Sequence, residues 1–250
     1  MTDIHSHVVW RMDDGAKRHA ETVELCRIAE QSGTNTLFLT PHLMYWEEAE
    51  FLYDQREARV AELENILDEE GINLRLVKGF EILCDDDIFN IKYFKPYTLA
   101  GSRYILIEFS FDNTTEEDVT AWCKYLLSCD LVPIIAHPER YEFVLSDISA
   151  VERLSQEGVL FQLNAGSPAG MFGEEVAMTA LRMLNAGYAD FIGSDAHNVH
   201  LRNTDMQYCF DRYPRYADMR MAEKAVNENP DYILNDKKYV PFRKNFPLFL

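Results

Sequence analysis

Long apolar runs, basic charge and paired cysteines are all scarce in this chain. No stretch approaches the roughly 18 consecutive apolar residues that a membrane-spanning helix needs, so membrane insertion is not expected. The chain has 24 lysines and arginines against 42 aspartates and glutamates. Its net charge of −18 argues against a nucleic-acid partner, because nucleic-acid binding needs a basic surface. The five cysteines are odd in number and include no C-x-x-C pair, so we expect a cytoplasmic protein without a disulfide framework.

One structural unit recurs along the 250 residues: an amphipathic helix, a glycine that ends it, an apolar strand and a polar residue. Apolar runs predict seven strands, at residues 2–7, 36–40, 73–77, 104–107, 131–136, 159–163 and 189–193. Helices that alternate with apolar strands predict a parallel sheet covered on both faces. Seven such units favour a closed or nearly closed α/β barrel over an open sheet. We therefore expect a single domain over residues 1–250.

The helix boundaries also have sequence signals. Glycine just past the last apolar position of a helix is a typical stop signal. Four predicted helices end in this way, at Gly33, Gly71, Gly158 and Gly187. The box Thr114-x-x-Glu117 predicts the start of another helix, whose buried stripe is Val119, Trp122 and Leu126.

Five of the seven histidines lie at the ends of predicted strands. They are His5, His7, His42, His137 and His197. Histidine is the commonest metal ligand in proteins, and an H-x-H pair on a strand places both imidazoles on one face. Barrel active sites are built from residues at strand ends. Shared placement therefore favours one site over five unrelated buried histidines. A removable signal peptide is not expected, because the first of these candidates is already the fifth residue.

Carboxylates occupy comparable positions. Glu81, Glu108 and Asp195 each follow an apolar strand. Glu81 and Glu108 could instead be ordinary surface carboxylates, but their strand-end positions favour a ligand role. A mixture of imidazoles and carboxylates suits manganese, iron or zinc better than calcium. The set is too large for one ion, so we expect two or three ions close together.

Several local motifs together resemble one family. They are His5-x-His7, Asp13-Asp14-Gly15, Pro41-His42, Glu81, Glu108, His137-Pro-Glu-Arg140 and Ser194-Asp195-x-His197. The chain resembles the polymerase-and-histidinol-phosphatase (PHP) superfamily. Within it, the chain is most similar to the bacterial manganese-dependent tyrosine phosphatases of capsule and exopolysaccharide clusters. The resemblance runs in order from Asp3 to about Arg202.

The resemblance implies a distorted (β/α)7 barrel that holds three manganese ions, with iron, cobalt or zinc as alternatives. The first ion would be bound by His5, His7, Glu81 and Asp195. The second would share Glu81 and also be bound by Glu108 and His137. The third would be bound by Asp14, His42 and His197. Asp13 competes with Asp14 for the last set, and spacing alone does not decide between them. The family's phosphate-binding arginines map onto Arg140 and Arg202, although Arg202 could be an ordinary surface residue.

The implied activity is hydrolysis of phosphotyrosine in a protein by a metal-bridging hydroxide. By the same resemblance, the substrate is the tail of a bacterial tyrosine autokinase that controls polysaccharide synthesis or export. Two alternatives stay open: a histidinol-phosphatase-like enzyme of the same superfamily, and a non-catalytic metal-stabilised regulatory protein. The chain's acidity disfavours a third superfamily activity, proofreading exonuclease. The sequence leaves the oligomeric state open, including a homo-oligomer.

A second phosphatase-like pattern is present. The stretch from Cys209 to Arg215 has the C-x5-R spacing of cysteine-dependent tyrosine phosphatases. Their loop binds phosphate with backbone N–H groups, which favours small residues. This loop holds bulky residues, and Pro214 has no N–H to donate. We interpret the match as coincidence.

The sequence leaves several roles open. Tyr45, Trp46, Met171 and Phe172 are candidates for an apolar rim, with core packing as an equal alternative. Glu139 is expected to support the site, Asn164 and Ser167 either line it or belong to ordinary loops, and His19 and His200 are expected to be peripheral. The tail Lys237–Leu250 is basic and then apolar. We expect it to pack on the barrel, with a partner-binding peptide as the alternative.

Overall fold

A computed structural model describes residues 1–244 of the chain. Within that part, the parallel strands are β1 (Thr2–Asp3), β2 (Thr36–Leu39), β3 (His42–Leu43), β4 (Arg75–Lys78), β5 (Glu81–Leu83), β6 (Tyr104–Glu108), β7 (Val132–Ala136), β8 (Leu160–Asn164) and β9 (Phe191–Gly193). They pair in the orders β1-β2-β4 and β3-β5-β6-β7-β8-β9. The helices are α1 (His19–Gln31), α2 (Ala49–Glu70), α3 (Glu116–Ser128), α4 (Glu142–Ser146), α5 (Ser149–Gln156), α6 (Glu174–Ala186), α7 (Met206–Phe210), α8 (Met219–Asn227) and α9 (Pro230–Leu234).

Seven of these strands overlap the seven predicted ones, whereas β3 and β5 lie beyond the predicted strands at residues 36–40 and 73–77. Each of the two follows the preceding strand in a single pass of the chain along the sheet. β2 and β3 form one pass that is interrupted at Pro41, because proline has no N–H to donate to a neighbouring strand. β4 and β5 form another, interrupted near Gly79, whose N–H donates to the Leu39 carbonyl at 3.0 Å. The first predicted strand is too long. Beyond β1, the regular ladder ends and Ser6 makes a single bridge to Ala196. The result is a curled parallel sheet.

The helix stops agree with the sequence patterns. Gly71 and Gly187 end α2 and α6 in the left-handed conformation, with φ of 68° and 85°. Gly33 and Gly158 follow α1 and α5, also with positive φ. The glycine signal therefore located these four helix ends.

The predicted capping box is wrong by one residue. Thr115, not Thr114, caps α3: its hydroxyl accepts from Asp118 N, while the Asp118 carboxylate accepts from Thr115 N. Thr114 instead donates its hydroxyl to the Ser110 carbonyl at 2.7 Å. Both positions have an acidic residue three places on, so the pattern alone could not separate them. The predicted buried stripe Val119, Trp122 and Leu126 is confirmed.

The inner face of the sheet carries both a small apolar core and the polar residues above it. Leu106, Ile134, Leu160 and Phe191 belong to this core. Side chains on a strand alternate with period two, so Glu108 continues the face of Leu106. Apolar residues thus form the floor on which the strand-end residues sit.

The tail is described only as far as Lys244. Arg243 binds Asp190 through two contacts of 2.7 and 2.9 Å and donates to the Ser155 hydroxyl. This part packs on the domain as expected, whereas residues 245–250 of the predicted tail lie outside the described residues. Among residues 1–244, no helix is long and apolar enough to cross a membrane.

Candidate metal centre

Glu81 lies at the centre of a buried group of imidazoles. Its Oε2 is 3.1 Å from Nε2 of His5 and from Nε2 of His7, and 3.2 Å from Nδ1 of His42. Its Oε1 is 3.1 Å from Nε2 of His137. Four different passes of the chain supply these residues, so the curl of the sheet brings together groups that are distant in sequence.

This arrangement fits a bound cation. His5, His7 and Glu81 are buried. The imidazole nitrogens near Glu81 Oε2 form no hydrogen bond with it, so this oxygen has no hydrogen-bond partner among the described residues. The Nε2 atoms of His5 and His7 face each other at 3.0 Å. Buried polar atoms are normally satisfied, and a cation would satisfy these nitrogens and oxygens together. Three groups have ligand atoms within 4.8 Å of one another: His7, Asp14, His42 and His197; His5, His7 and Glu81; and His42, Glu81 and Glu108.

The charges of the group are strongly linked. Burial opposes protonation of His7, but Asp13 outweighs it and raises the pKa to about 10. Burial likewise opposes protonation of His42, while Glu81 and its other carboxylate neighbours raise its pKa to about 12. Burial would raise the pKa of Glu81, yet His5 and His42 hold it well below its usual value. Protonation of the His7 and His42 imidazoles thus balances carboxylate charge that bound cations would otherwise balance.

The geometry separates the two adjacent aspartates. Asp13 Oδ2 binds Nδ1 of His7 at 2.7 Å and accepts from His42 N at 2.9 Å, so it orients two candidate ligands from behind. Asp14 Oδ1 lies 3.2 Å from Nε2 of His197 and 3.4 Å from Nε2 of His42. Its open position beside both imidazoles favours Asp14 as the ligand.

Glu108 lies closer to His42 than to its expected companion. Its Oε1 is 2.7 Å from Nδ1 of His42, whereas its Oε2 is 4.0 Å from Nε2 of His137. The cluster is therefore continuous, and shared neighbours link the expected ion sets.

Two glycines allow the close packing of this centre. A Cβ on Gly15 would come within 2.0 Å of the His7 carbonyl oxygen. A Cβ on Gly193 would come within 2.6 Å of the His5 Cβ. Any larger residue would push the H-x-H segment out of place, which explains glycine in both motifs.

Asp195 links the imidazoles to the two arginines. Its Oδ1 faces His5 and His7 at 3.7 and 3.6 Å. Its Oδ2 lies 2.6 Å from Nη2 of Arg202 and 3.5 Å from Nη1 of Arg140. Burial would raise the pKa of Asp195, but His5 and Arg202 keep it below its usual value. Its φ of 51° is a left-handed conformation that is rare for a residue with a side chain, and such strain is typical of functional sites.

Arg140 is held between two aromatic rings. Its guanidinium carbon lies 4.7 Å from the ring centre of Phe111 and 4.8 Å from that of Phe172. Phe111 also stacks on His137 with ring centres 5.7 Å apart. Cation–π contacts of this kind orient a guanidinium while leaving its N–H groups free to bind. Of the four candidates for the apolar rim, Phe172 therefore makes a cation–π contact with Arg140.

The other three candidates for the apolar rim differ in their exposure to solvent. Tyr45 and Met171 are exposed. Trp46 is partly buried and packs edge-on against Phe94 and Tyr97 at the margin of the apolar core. Tyr45 and Met171 are therefore accessible as rim residues, whereas Trp46 contributes to core packing.

A buried polar chain behind the centre escaped the sequence analysis in part. Gln162 Oε1 binds Nδ1 of His5 at 2.7 Å, and Gln162 Nε2 donates to Asn164 Oδ1. Asn164 Nδ2 then donates to Asp195 Oδ2 at 2.7 Å. Gln162 was missed, but period two from Asn164 along β8 places it on the same face.

Glu139 has the supporting role that was expected. Its Oε1 accepts from Asn164 N at 3.0 Å and from the Ser167 hydroxyl at 2.6 Å. It thereby fixes the start of the loop after β8. His19 and His200 are exposed, as expected.

The structure supports the interpretation that the C-x5-R spacing from Cys209 to Arg215 is coincidental. Cys209 is buried within α7, and burial raises the pKa of its thiol to about 11. A catalytic cysteine needs the opposite shift, toward the thiolate. Arg215 is exposed.

Known proteins resemble this chain over most of its length. The family model described as capsular polysaccharide synthesis, CpsB/CapC, matches residues 1–235. The tyrosine-protein phosphatase YwqE of Bacillus subtilis is 34% identical over 212 residues, covering 83% of this chain and 81% of YwqE. The putative tyrosine-protein phosphatase CapC of Staphylococcus aureus is 31% identical over 244 residues, covering 96% of this chain and 95% of CapC.

A solved structure agrees with these matches. It comes from crystallographic work on YwqE from Bacillus subtilis and CpsB from Streptococcus pneumoniae, described as metal-dependent tyrosine phosphatases. It superposes with a TM-score of 0.81 at 29% identity and covers 97% of both chains. The curled parallel sheet therefore belongs to a known architecture.

Proposed function

Because the chain belongs to the CpsB/CapC family of capsular polysaccharide synthesis, we propose that it is a metal-dependent protein-tyrosine phosphatase. The observation that carries the proposal is the convergence of a buried, unsatisfied imidazole–carboxylate cluster with two ordered arginines on Asp195. Phosphoryl transfer needs cationic groups around the phosphate: the two arginines supply them directly, and metal ions held by the cluster would supply the others. The relatives named as tyrosine phosphatases support the same activity.

We assign the metal role to nine residues: His5, His7, Asp14, His42, Glu81, Glu108, His137, Asp195 and His197. Three ions fit the number of ligands, and manganese is the metal we propose from the mixture of nitrogen and oxygen donors. When bound, such ions lower the pKa of water and neutralise charge on phosphate oxygens. Asp13 and Gln162 hold the imidazoles of His7 and His5 in fixed orientation from behind.

Arg140 and Arg202 bind the phosphate in this proposal. Both side chains are partly exposed and lie against Asp195, so they can donate to a phosphoryl group at the surface of the centre. The guanidinium fork matches two phosphate oxygens at once. The leaving phenolate has a pKa of about 10, so it departs with less need of a general acid than an alkoxide does.

The wider context is also proposed. The curled sheet is interpreted as the distorted (β/α)7 barrel, with the two interrupted passes each counted once, and the chain as a single domain. The substrate is a phosphotyrosine protein, a bacterial tyrosine autokinase in the capsule system. We place the protein in the cytoplasm because its five cysteines are free thiols.

Side-by-side kinetics test the activity. The manganese-loaded protein is assayed at one pH on a phosphotyrosine peptide, the matched phosphoserine peptide, 4-nitrophenyl phosphate and histidinol phosphate. We expect the highest kcat/KM for the phosphotyrosine peptide or the aryl phosphate. If histidinol phosphate is preferred by about tenfold or more, the small-molecule phosphatase replaces this proposal. Absence of turnover on every substrate with full metal content would favour the regulatory alternative.

A further inference from the structure

A cleft adjoins the metal centre on the wall formed by Asp14, His42 and Glu108. Its volume is about 630 Å³. The loop after β3 supplies Met44, Tyr45 and Glu48 to one wall, and the loop after β6 supplies residues 109–112 to another. Neither Arg140 nor Arg202 is among its lining residues.

We propose that this cleft binds the tyrosyl side of the substrate and favours peptides with basic residues beside the phosphotyrosine. The inference rests on the proposed function, since it takes the metal centre as the place where the phosphate binds. It adds a preference for one charge type that the activity itself does not require.

The positions of the arginines fix the orientation of the substrate. A phosphoryl group bound by Arg140 and Arg202 points its charged oxygens at the Asp195 side of the centre. The leaving group must then lie on another side. The cleft offers a large, mainly apolar space beside the centre that excludes both arginines, with Tyr45 and Phe111 exposed for contact with an aromatic ring.

The size of the cleft indicates more than a ring. Its volume falls within the range of roughly 300–1,000 Å³ found for sites that bury a whole small ligand. The residues next to the phosphotyrosine would therefore also enter it or cross its edge.

The charge of the lining defines what those neighbours can be. Among residues 1–244, five carboxylates line the cleft and no lysine or arginine does. Asp13, Asp14 and Glu108 contact imidazoles of the centre, and bound cations would offset their charge. Glu48 and Asp112 remain as exposed carboxylates of the lining that are not among the proposed ligands. A lysine or arginine in the peptide would meet these two charges, and a glutamate would be repelled.

Two peptides that differ only in charge test this inference. Each carries one phosphotyrosine, flanked on both sides by lysines in one peptide and by glutamates in the other. For the wild-type protein we expect the lysine peptide to have a kcat/KM about tenfold higher, mainly through KM, and the ratio should shrink as salt is raised. The double variant Glu48→Gln/Asp112→Asn should bring the ratio to within about threefold, and Glu48→Lys/Asp112→Lys should reverse it.

Glu223→Gln is the matched control. Glu223 is exposed on α8 and lies outside the cleft, and its substitution changes the net charge by the same single unit as Glu48→Gln or Asp112→Asn. This variant should keep the wild-type ratio, and metal content should be equal in all variants. Equal rates for the two peptides, or a preference that survives in the double variant, would overturn the inference while the tyrosine phosphatase activity stands. Failure of both peptides alongside rapid turnover of histidinol phosphate would instead overturn the proposed function.

Discussion

Asp195 Oδ2 lies 2.6 Å from Nη2 of Arg202, while Oδ1 of the same carboxylate faces His5 and His7. One side chain therefore connects the candidate phosphate clamp to the candidate metal centre. Arg140 approaches the same oxygen at 3.5 Å and is fixed laterally by Phe111 and Phe172. The position of each arginine is set by contacts that depend on the planar guanidinium.

Replacing Arg140 or Arg202 with lysine should lower kcat/KM by about tenfold or more at unchanged metal content. Lysine keeps the charge but loses the bidentate donor geometry, and in Arg140→Lys it also loses the flat contact with both rings. Steady-state kinetics with elemental analysis provide the measurement. Arg182, which lies on α6 outside the site, provides the control as Arg182→Lys. Wild-type kinetics for both site variants would mean that the arginines do not contact phosphate.

The metal-replete protein should contain about three transition-metal ions, and exhaustive chelation should abolish phosphatase activity. The reason is the number of buried ligand atoms, which exceeds what one ion coordinates. Elemental analysis and activity after reloading with manganese are the two measurements. One ion or fewer per chain, or full activity after chelation, contradicts the prediction.

Cys209→Ser should leave activity within about threefold of wild type, whereas Asp195→Asn should lower it by about 100-fold or more. Burial favours the neutral thiol of Cys209, while Asp195 contacts both histidines and arginines. Circular dichroism of both variants separates loss of activity from loss of folding. A folded but inactive Cys209→Ser protein would return the mechanism to cysteine chemistry.

Sequence patterns located seven of the nine strands and four helix ends, because apolar runs and the glycines after helices report local geometry. Histidines and carboxylates near predicted strand ends indicated eight of the nine candidate ligands, and the family resemblance added Asp14; the fold brings all nine to one edge. The choice between Asp13 and Asp14 needed coordinates, since it depends on which carboxylate lies behind His7. The role of Phe111 was equally hidden, because a phenylalanine in a loop carries no signal for contact with Arg140 from another loop.

Arg243→Ala should lower the free energy of unfolding by about 3 kcal/mol, because it leaves the carboxylate of Asp190 buried without its partner. The double variant Asp190→Asn/Arg243→Met should be less destabilised than Arg243→Ala, since no unpaired charge is then buried. Denaturant unfolding of the metal-loaded proteins measures both. Activity under native conditions should stay near wild type, because this ion pair lies apart from the proposed ligands. An unchanged stability of Arg243→Ala would show that the tail does not dock through this pair in solution.

Metal binding to the metal-free protein should release protons at pH 7, and the apparent metal affinity should rise with pH between about 6 and 9. Burial opposes protonation of His7 and His42, but neighbouring carboxylates raise their pKa values to about 10 and 12. Both imidazoles are therefore protonated in the metal-free protein throughout this range, and a cation must displace those protons to bind their nitrogens. Each proton displaced strengthens apparent binding by about tenfold per pH unit. Calorimetric titration with manganese in two buffers of different ionisation enthalpy counts the released protons. Burial lowers the pKa of His7, and the charge of Asp13 is the largest influence that raises it, so Asp13→Asn should lower that count. A heat independent of the buffer would contradict the prediction, since it would mean that the cluster binds metal without giving up protons.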